Sequence, residues 1–525
     1  MEKVLAIYDI SGIQSFIFAT NKLREMAGGS EIVHRALFKF IPEKLRYGKS
    51  SWQDEDFSQK IYDGRKGNII YIGGGNALVL FKDKATYEAV TIDLQKEIFE
   101  LSGGGIRLCH AAIEAPALDG SGSFVDDIQR PLMQELTLYK QKNPPIQTVR
   151  GFAFGAQDTE TQEPLIRVAK KGEQVWRSEK ESSASSSLYA SYSRYKKDQI
   201  FYESKNKEKS TDSIRQYFAD NFEQFRDKDE KSFVAVVHID GNTMGKQIIN
   251  FANGLTGTTL TNQLIEMRSL SKEIASVYTN TLDATVNEIF KNEIANVNKK
   301  SGNGTIPYRE ILADGDDITI IIKANKALKF CETFVKKLED QNSKKYLILQ
   351  NFHLSVGIGI AFVHDKFPFS TAYDIAEQLC KNAKKRGLEY TSSTTGSPVF
   401  PPSSMDFQIV KSGMTTDVDT YRRHHYYLPN NTNFLLRRPF LYSSQGEDIE
   451  KCQYSKFKAS FEELKNMNIA RNKLKTLQNA HVISAQELDY VKEMIEARKN
   501  CRLELWIEDT ARYFDALDIL DFYGE

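Results

Sequence analysis

The sequence predicts an α+β fold: two copies of a ferredoxin-like βαββαβ module, with a polar insert and a C-terminal helical domain. Three observations carry this prediction. The order strand, helix, hairpin, helix, strand can be read twice along the chain. The two hairpins, "IYIGGGNALVLF" (Ile70–Phe81) and "ILADGDDITIII" (Ile311–Ile322), align without a gap, so that Gly75 falls on Asp316 and Asn76 on Asp317. The opening strands of both copies end in an aspartate, Asp9 and Asp240, followed by a glycine-containing turn.

The elements follow in order. The first copy, residues 1–115, opens with the strand "VLAIYDI". One long amphipathic helix is expected next, through "SFIFATNKLREM" and "EIVHRALFKFI". The glycine-rich hairpin, the helix "TYEAVTIDLQKEIFEL" and the strand "IRLCHAAIEA" complete the module. Residues 116–230 are more polar, and the Ser- and Lys-rich run "SEKESSASSSLYASYSRYKK" reads as a surface insert. The second copy, residues 231–395, opens with the buried strand "SFVAVVHID" and closes with the helix "TAYDIAEQLCKNAKKRGLEY". "TSSTTGSPVFPPSS" marks a boundary by its Ser, Thr, Gly and Pro content. Residues 396–525 read as mostly helical, most clearly in "SAQELDYVKEMIEARKN".

Composition narrows the function. Lys+Arg and Asp+Glu are 70 each in 525 residues, so no global field recruits nucleic acid or an anionic membrane. A templated polymerase, which needs a large basic channel, is disfavoured on that ground. Five scattered cysteines contain no C-x-x-C pair, which argues against a zinc ribbon and suits a reducing cytosol. No apolar run reaches the roughly 18 residues of a membrane helix. A cytoplasmic protein without membrane contact is expected.

The second hairpin carries the chemistry. Asp314, Asp316 and Asp317 surround Gly315 at its tip, and the sheet order of a βαββαβ module lays the strand ending in Asp240 beside it. Clustered carboxylates repel unless a cation neutralises them. Oxygen donors without His or Cys favour Mg²⁺ or Mn²⁺, and two such ions can align a hydroxyl, an α-phosphate and its leaving pyrophosphate. A lone Asp-Gly is ordinarily only a turn; the apolar flanks and Asp240 set this one apart. Gly315 permits positive φ and close approach of a phosphate. "GNTMGK" after Asp240, which includes Asn242, offers a phosphate-facing turn but lacks the spacing of a Walker A loop. Lys381, Lys384 and Lys385 share the helix after the last strand, where a solvated helix end explains any one of them as well as phosphate contact does. His238 lies on the same strand face as Asp240 and reads as a packed histidine. The first hairpin's "GGGN" has no carboxylate; Gly75 and Asn76 suit close backbone approach to a second nucleotide, or packing alone.

Taken together, "YDISGIQSFIFATNKLREMAGGS", "YIGGGNALVLF", "VVHIDGNTMGK" and "ILADGDDITII" resemble the large polymerase/cyclase subunit of type III CRISPR effector complexes, the Csm/Cmr large-subunit family. The resemblance covers both modules and extends more distantly to GGDEF nucleotidyl cyclases. It implies two palms face to face, the second joining ATP into cyclic oligoadenylate second messengers for antiviral defence, read by a downstream effector. It implies Asp240, Asp316 and Asp317 as catalytic metal ligands for two Mg²⁺ or Mn²⁺ ions, Lys384 as a phosphate contact, and Ser11 and Asn76 as nucleotide-facing. Asp314 stands where the family usually has a glycine. The family's HD nuclease is not expected before the first strand, and the zinc-binding cysteines of its insert are missing.

A second class of function is a non-catalytic scaffold or sensor that binds nucleotide within an RNA-binding complex. For it, Arg422, Arg423, His424, His425, Arg437 and Arg438 would offer a basic patch through which the C-terminal region meets RNA or CRISPR-type subunits, the bland reading being a solvated face.

Overall fold

The structure is a computed structural model. It describes residues 2–48, 52–144, 157–158, 163, 165–168, 189–211, 213–226, 232–299, 304–342, 348–349, 352–393, 400–410, 417–426, 434–442, 452–499 and 501–522. Most of the Ser- and Lys-rich run of the insert lies outside them.

The first module comprises β1 (Val4–Ser11), α1 (Ile13–Ile17), α2 (Leu23–Phe38), the one-turn α3 (Phe40–Lys44), β2 (Gly67–Gly73), β3 (Asn76–Phe81), α4 (Lys84–Ser102) and β4 (Arg107–Glu114). Its strands pair in the order β2-β3-β1-β4. The insert supplies α5 (Arg130–Lys142), a ribbon of β5 (Leu165–Val168) with β6 (Tyr189–Ser191), and α6 (Tyr192–Ser210). The second module comprises β7 (Phe233–Gly241), α7 (Met244–Gly254), α8 (Leu260–Ile289), α9 (Lys291–Lys299), β8 (Tyr308–Asp314), β9 (Asp317–Lys323), α10 (Ala327–Asn342), β10 (Val356–His364) and α11 (Phe369–Ser393). Then come β11 (Ser404–Ile409), α12 (Val418–His425), β12 (Phe440–Leu441), α13 (Tyr454–Asn466), α14 (Arg471–Ile483), α15 (Ala485–Lys499), the two-residue strands β13 (Trp506–Ile507) and β14 (Thr510–Ala511), and α16 (Phe514–Asp518). The second sheet runs β12-β11-β10-β7-β9-β8. Its last four strands repeat the first sheet's order, so both modules are ferredoxin-like palms.

The repeat holds at single-residue resolution. Gly73 pairs with Asn76 in one hairpin and Asp314 with Asp317 in the other. Each ascending strand carries one extra residue, Ile70 in the first and Ile311 in the second, at the aligned position. Such a bulge sharpens the local twist and re-aims the strand tip. The palms pack reciprocally. Arg268 on α8 donates to the Ile69 carbonyl of β2 at 2.7 Å, and α2 lies against β8 in return. The apolar faces of both sheets join shared cores, in which Leu5 and Ile7 of β1 cluster with Val237 and Ile239 of β7.

Three local features differ from the sequence reading. The long helix expected after β1 is broken between Ile17 and Leu23. The break lets Phe18 stack near Phe369 and Tyr373, with ring centroids at 5.3 and 4.4 Å, and lets Asn21 accept from the Phe369 amide at 2.8 Å. The segment after residue 396 is not simply helical, because β11 and β12 extend the second sheet. In β11, Ser404, Asp406 and Gln408 alternate with Met405, Phe407 and Ile409, and all six are buried. The polar face is taken by Arg422, which holds Asp406 through two bonds of 2.8 and 2.9 Å, and by Arg438, which also pairs with Asp518 at 3.0 Å.

The proposed basic patch is therefore corrected. Arg422, Arg437 and Arg438 are 8%, 4% and 4% exposed and are spent inside the fold, because a buried guanidinium must be paired. Only Arg423, His424 and His425 of the six are exposed.

The insert helix α6 is clamped to α2. A methyl group on Gly28 would sit 1.9 Å from the Lys197 carbonyl oxygen, so glycine alone admits this crossing. Arg194 of α6 pairs with Glu25 at 2.9 Å and with Asp158 at 2.6 Å, all three buried. The Lys197 ammonium, also buried, donates to the Phe16 carbonyl at the end of α1.

Candidate active site between the palms

β7 and β9 run antiparallel with Ile239 opposite Ile318, which sets Asp240 beside Asp317 at the same sheet end. Between Asp314 and Asp317 the chain turns in two residues, with Gly315 at φ 63°. A left-handed first turn residue is where glycine is favoured. Asp316 lies against Gly241, where a methyl group would come within 2.5 Å of the Asp316 Oδ2. Gly241 thus admits the second carboxylate. On the other side, α11 settles on β10 because a methyl group on Gly359 would meet the Ala376 carbonyl at 1.9 Å. This close approach brings Lys384 to Asp240, where its ammonium donates to Oδ2 and, at 2.8 Å, to the Gly241 carbonyl.

The cluster is electrostatically uncomfortable without a cation. Burial pushes the Asp317 carboxyl up to about 7, and Asp240, Asp316 and Asp314 add to it in that order. Burial also raises Asp316, followed by the charge of Asp240. Lys384 opposes both shifts. Asp317 retains 41% side-chain exposure, yet its Oδ1 is shut from solvent and lacks a hydrogen-bond partner among the described residues. A buried orphan acceptor among carboxylates is a donor set awaiting a hard cation, and the residues fit Mg²⁺ or Mn²⁺.

The tip opens on a crevice of about 550 Å³ between the palms. Gly12, Gln14, Gly74 and Gly75 wall one side, and Asp314, Asp316 and Asp317 the other. The Gly75 amide donates to Asp314 Oδ2 at 2.9 Å, joining the two hairpin tips. Gln14 donates to the Tyr373 hydroxyl at 2.7 Å and ties α1 to α11. A second cavity of about 320 Å³ on the far side of the hairpin shares Asp314 and Gly315 and reaches Thr279, Arg215 and Glu310.

The structure brings Asp240, Asp316, Asp317, Gly315 and Lys384 together, with Gly75 facing them. Ser11 sits just outside the crevice and shares its hydroxyl between Asp9 and Cys109, each at 3.3 Å. Asn76 stands opposite Asp9, its side-chain amide turned to the Gly74 carbonyl at 3.3 Å. Two expected nucleotide contacts are not brought in. Asn242 is 3% exposed, and its amide is spent on Ser355 Oγ at 3.1 Å and the Pro402 carbonyl at 3.2 Å. Lys385 is exposed on the next position of α11, outside this cluster, and Lys381 pairs with Glu377 at 2.9 Å. His238 is buried and held neutral, down to about 4, by that burial.

One pair escaped sequence reasoning. Lys140 of α5 reaches Asp9 Oδ2 at 2.7 Å, the first palm's counterpart of Lys384 on Asp240. Nothing in "LTLYKQK" signals it. The left-handed residue three places after each strand aspartate, Gly12 at φ 88° and Thr243 at φ 54°, is likewise shared and likewise silent in sequence.

Fold and site define a two-palm protein whose second palm carries a carboxylate hairpin. Residues 233–389 match the family model described as Cas10/Cmr2, second palm domain. The match covers the second palm, from β7 into α11. No curated protein matches the chain. Among solved structures, it is similar to the apo Csm1–Csm4 cassette at 11% identity and TM-score 0.50, and to Csm1 of T. onnurineus at 12% and 0.50. Each alignment covers 100% of this chain and 70% of the other. A Csm1–Csm4 cassette in complex with cA4 aligns at 13% identity and TM-score 0.43, over 74% of this chain and 53% of that one. The chain thus spans about half of that relative's length. Among the described residues, no helix is long and apolar enough to cross a membrane.

Proposed function

We propose that this chain is a metal-dependent nucleotidyltransferase that condenses NTPs, ATP foremost, into cyclic oligonucleotide second messengers. The observation that carries the proposal is the convergence of Asp240, Asp316 and Asp317 at one sheet end, the latter two lining the inter-palm crevice opposite the bare backbone of Gly74 and Gly75. Asp240, Asp316 and Asp317 would hold Mg²⁺ or Mn²⁺, which supplies charge neutralisation of the triphosphate and a lowered pKa for the attacking hydroxyl. The chain's own residues do the rest. Gly315, in its left-handed turn, leaves room for a phosphate at the backbone. Lys384 carries a fixed positive charge to the carboxylates and is within reach of the same phosphates. The glycine turn of the first palm seats a second nucleotide, so that one 3′-hydroxyl faces the α-phosphate of the other; two palms in one chain would supply both seats.

The domain division 1–115, 116–230, 231–395 and 396–525 belongs to the proposal, the last unit lending β11 and β12 to the second palm's sheet. So do a cytoplasmic setting, CRISPR-type partner subunits and a downstream effector that reads the product. The test is product analysis: each NTP and the mixture of four, with Mg²⁺ or Mn²⁺, resolved by mass spectrometry beside an Asp316→Ala/Asp317→Ala control. A cyclic product absent from the control supports the cyclase and identifies its base. No product with added RNA and cell extract transfers the assignment to a nucleotide-binding scaffold.

A further inference from the structure

The carboxylate tip has neighbours that oxygen-only metal chemistry does not use. His238 and Asp240, two residues apart on β7, share one sheet face. Cys380 descends on them from α11, held close because a methyl group on Gly359 would meet the Cys380 amide nitrogen at 2.4 Å. One ligand atom from each of His238, Asp240 and Cys380 lies within 4.8 Å of the other two. His238 is 5% and Cys380 2% exposed.

We infer that His238, Asp240 and Cys380 form a site for a thiophilic divalent cation of the Zn²⁺ class, one that excludes the hard catalytic cation because both would need Asp240. Mg²⁺ has no use for an imidazole or a thiol, whereas a mixed nitrogen, sulfur and oxygen set is what Zn²⁺ takes. The outer contacts suit it. His238 Nδ1 meets Thr319 Oγ1 at 3.0 Å, the kind of bond that fixes a ligand ring and its tautomer. Lys384 engages only the Oδ2 of Asp240, which leaves Oδ1 for a metal. Three protein ligands would leave the fourth position of a tetrahedral ion open to water. The Cys380 thiol donates to the Gly357 carbonyl at 3.2 Å. On binding it gives its proton to solvent, and the thiolate lone pair forms the metal–sulfur bond without any change of oxidation state.

The existence of this site is independent of the cyclase proposal; its effect on product formation rests on that proposal. Co²⁺ added to the full chain reports it directly. A sulfur-to-cobalt charge-transfer band that saturates at one equivalent, yields to Zn²⁺, survives Cys501→Ser and disappears in Cys380→Ser is the expected result. Absence of the band in the unaltered chain, or its survival in Cys380→Ser, overturns the inference. Should Cys380→Ser not fold, ¹¹³Cd NMR of the unaltered chain decides: a one-sulfur shift supports the site and an oxygen-only shift refutes it. In the product assay at fixed Mg²⁺, Zn²⁺ should inhibit the unaltered chain at least tenfold more effectively than Cys380→Ser, and equal inhibition would refute the exclusion. A chain that makes no product leaves the two spectroscopic results decisive.

Discussion

The amide of Gly75 and the carboxylate of Asp314 meet at 2.9 Å across the junction of the two palms, tip to tip. Asp314 therefore joins the modules as well as adding charge to the cluster. A bond of this kind to a charged group contributes about 1.5–3 kcal/mol. Asp314→Ala should lower stability by that order, and Asp314→Asn, which keeps an acceptor, by less. Urea unfolding of both variants checks the order; equal losses would rule out the bond as the cause.

Replacing Asp316 or Asp317 by Asn keeps the shape of the tip and removes charge. Product formation should fall by roughly two orders of magnitude or more, the scale on which a transferring group loses electrostatic stabilisation. Nucleotide-induced shifts in melting temperature should persist, since the crevice walls are unchanged. Loss of both together would mean that the aspartates build the pocket.

The Asp317 carboxyl, raised by burial from 3.8 to about 7, holds a proton that the unfolded chain has released. Between those values the folded state binds more protons, so metal-free stability declines as pH rises from about 4 to about 7. A hard cation must displace that proton and then relieves the repulsion. Mg²⁺ should thus raise the melting temperature more at pH 8 than at pH 5.5, as differential scanning fluorimetry would show. An equal rise at both would contradict the assignment.

Lys384→Met retains most of the stem and removes the ammonium from Asp240. The cluster becomes more negative, so Mg²⁺ should bind more tightly, while the KM for NTP rises by about tenfold, or near 1.4 kcal/mol. Opposite movement of metal and nucleotide affinity separates a phosphate contact from a lysine that merely supports the helix. Calorimetry with each ligand distinguishes them.

Gly28→Ala puts a methyl group 1.9 Å from the Lys197 carbonyl oxygen, whereas Gly29→Ala meets the flexible Lys197 Cε at 3.3 Å and the Ile17 Cα at an ordinary 3.4 Å. Overpacking against backbone costs about 1–3 kcal/mol, and the adjacent substitution should cost far less. Thermal melts of the pair test whether α6 is seated as closely as described.

Much of this was legible in sequence because it rests on period and punctuation. The alternating strands, the two aligned hairpins and the aspartates at strand ends are local patterns, and the ferredoxin-like order follows from them. What was not legible depends on partners distant in the chain. Asp406 and Gln408 look solvent-facing until Arg422 and Arg438 arrive to pair with them. The same pairing erased the basic patch. Asn242 looked like a phosphate contact because its neighbours do; its amide goes to Ser355 and Pro402 instead. Lys140 reaches Asp9 from a helix whose sequence is ordinary.

The extra strand β11 runs parallel to β10, with α11 as the crossover between them. Lys384 rides on that crossover. A slip of β11 by one residue is about 3.3 Å, more than the length of the contact between the Lys384 ammonium and the Gly241 carbonyl. The register of the far sheet edge therefore fixes, through the helix that joins it to β10, where the Lys384 ammonium stands against Asp240.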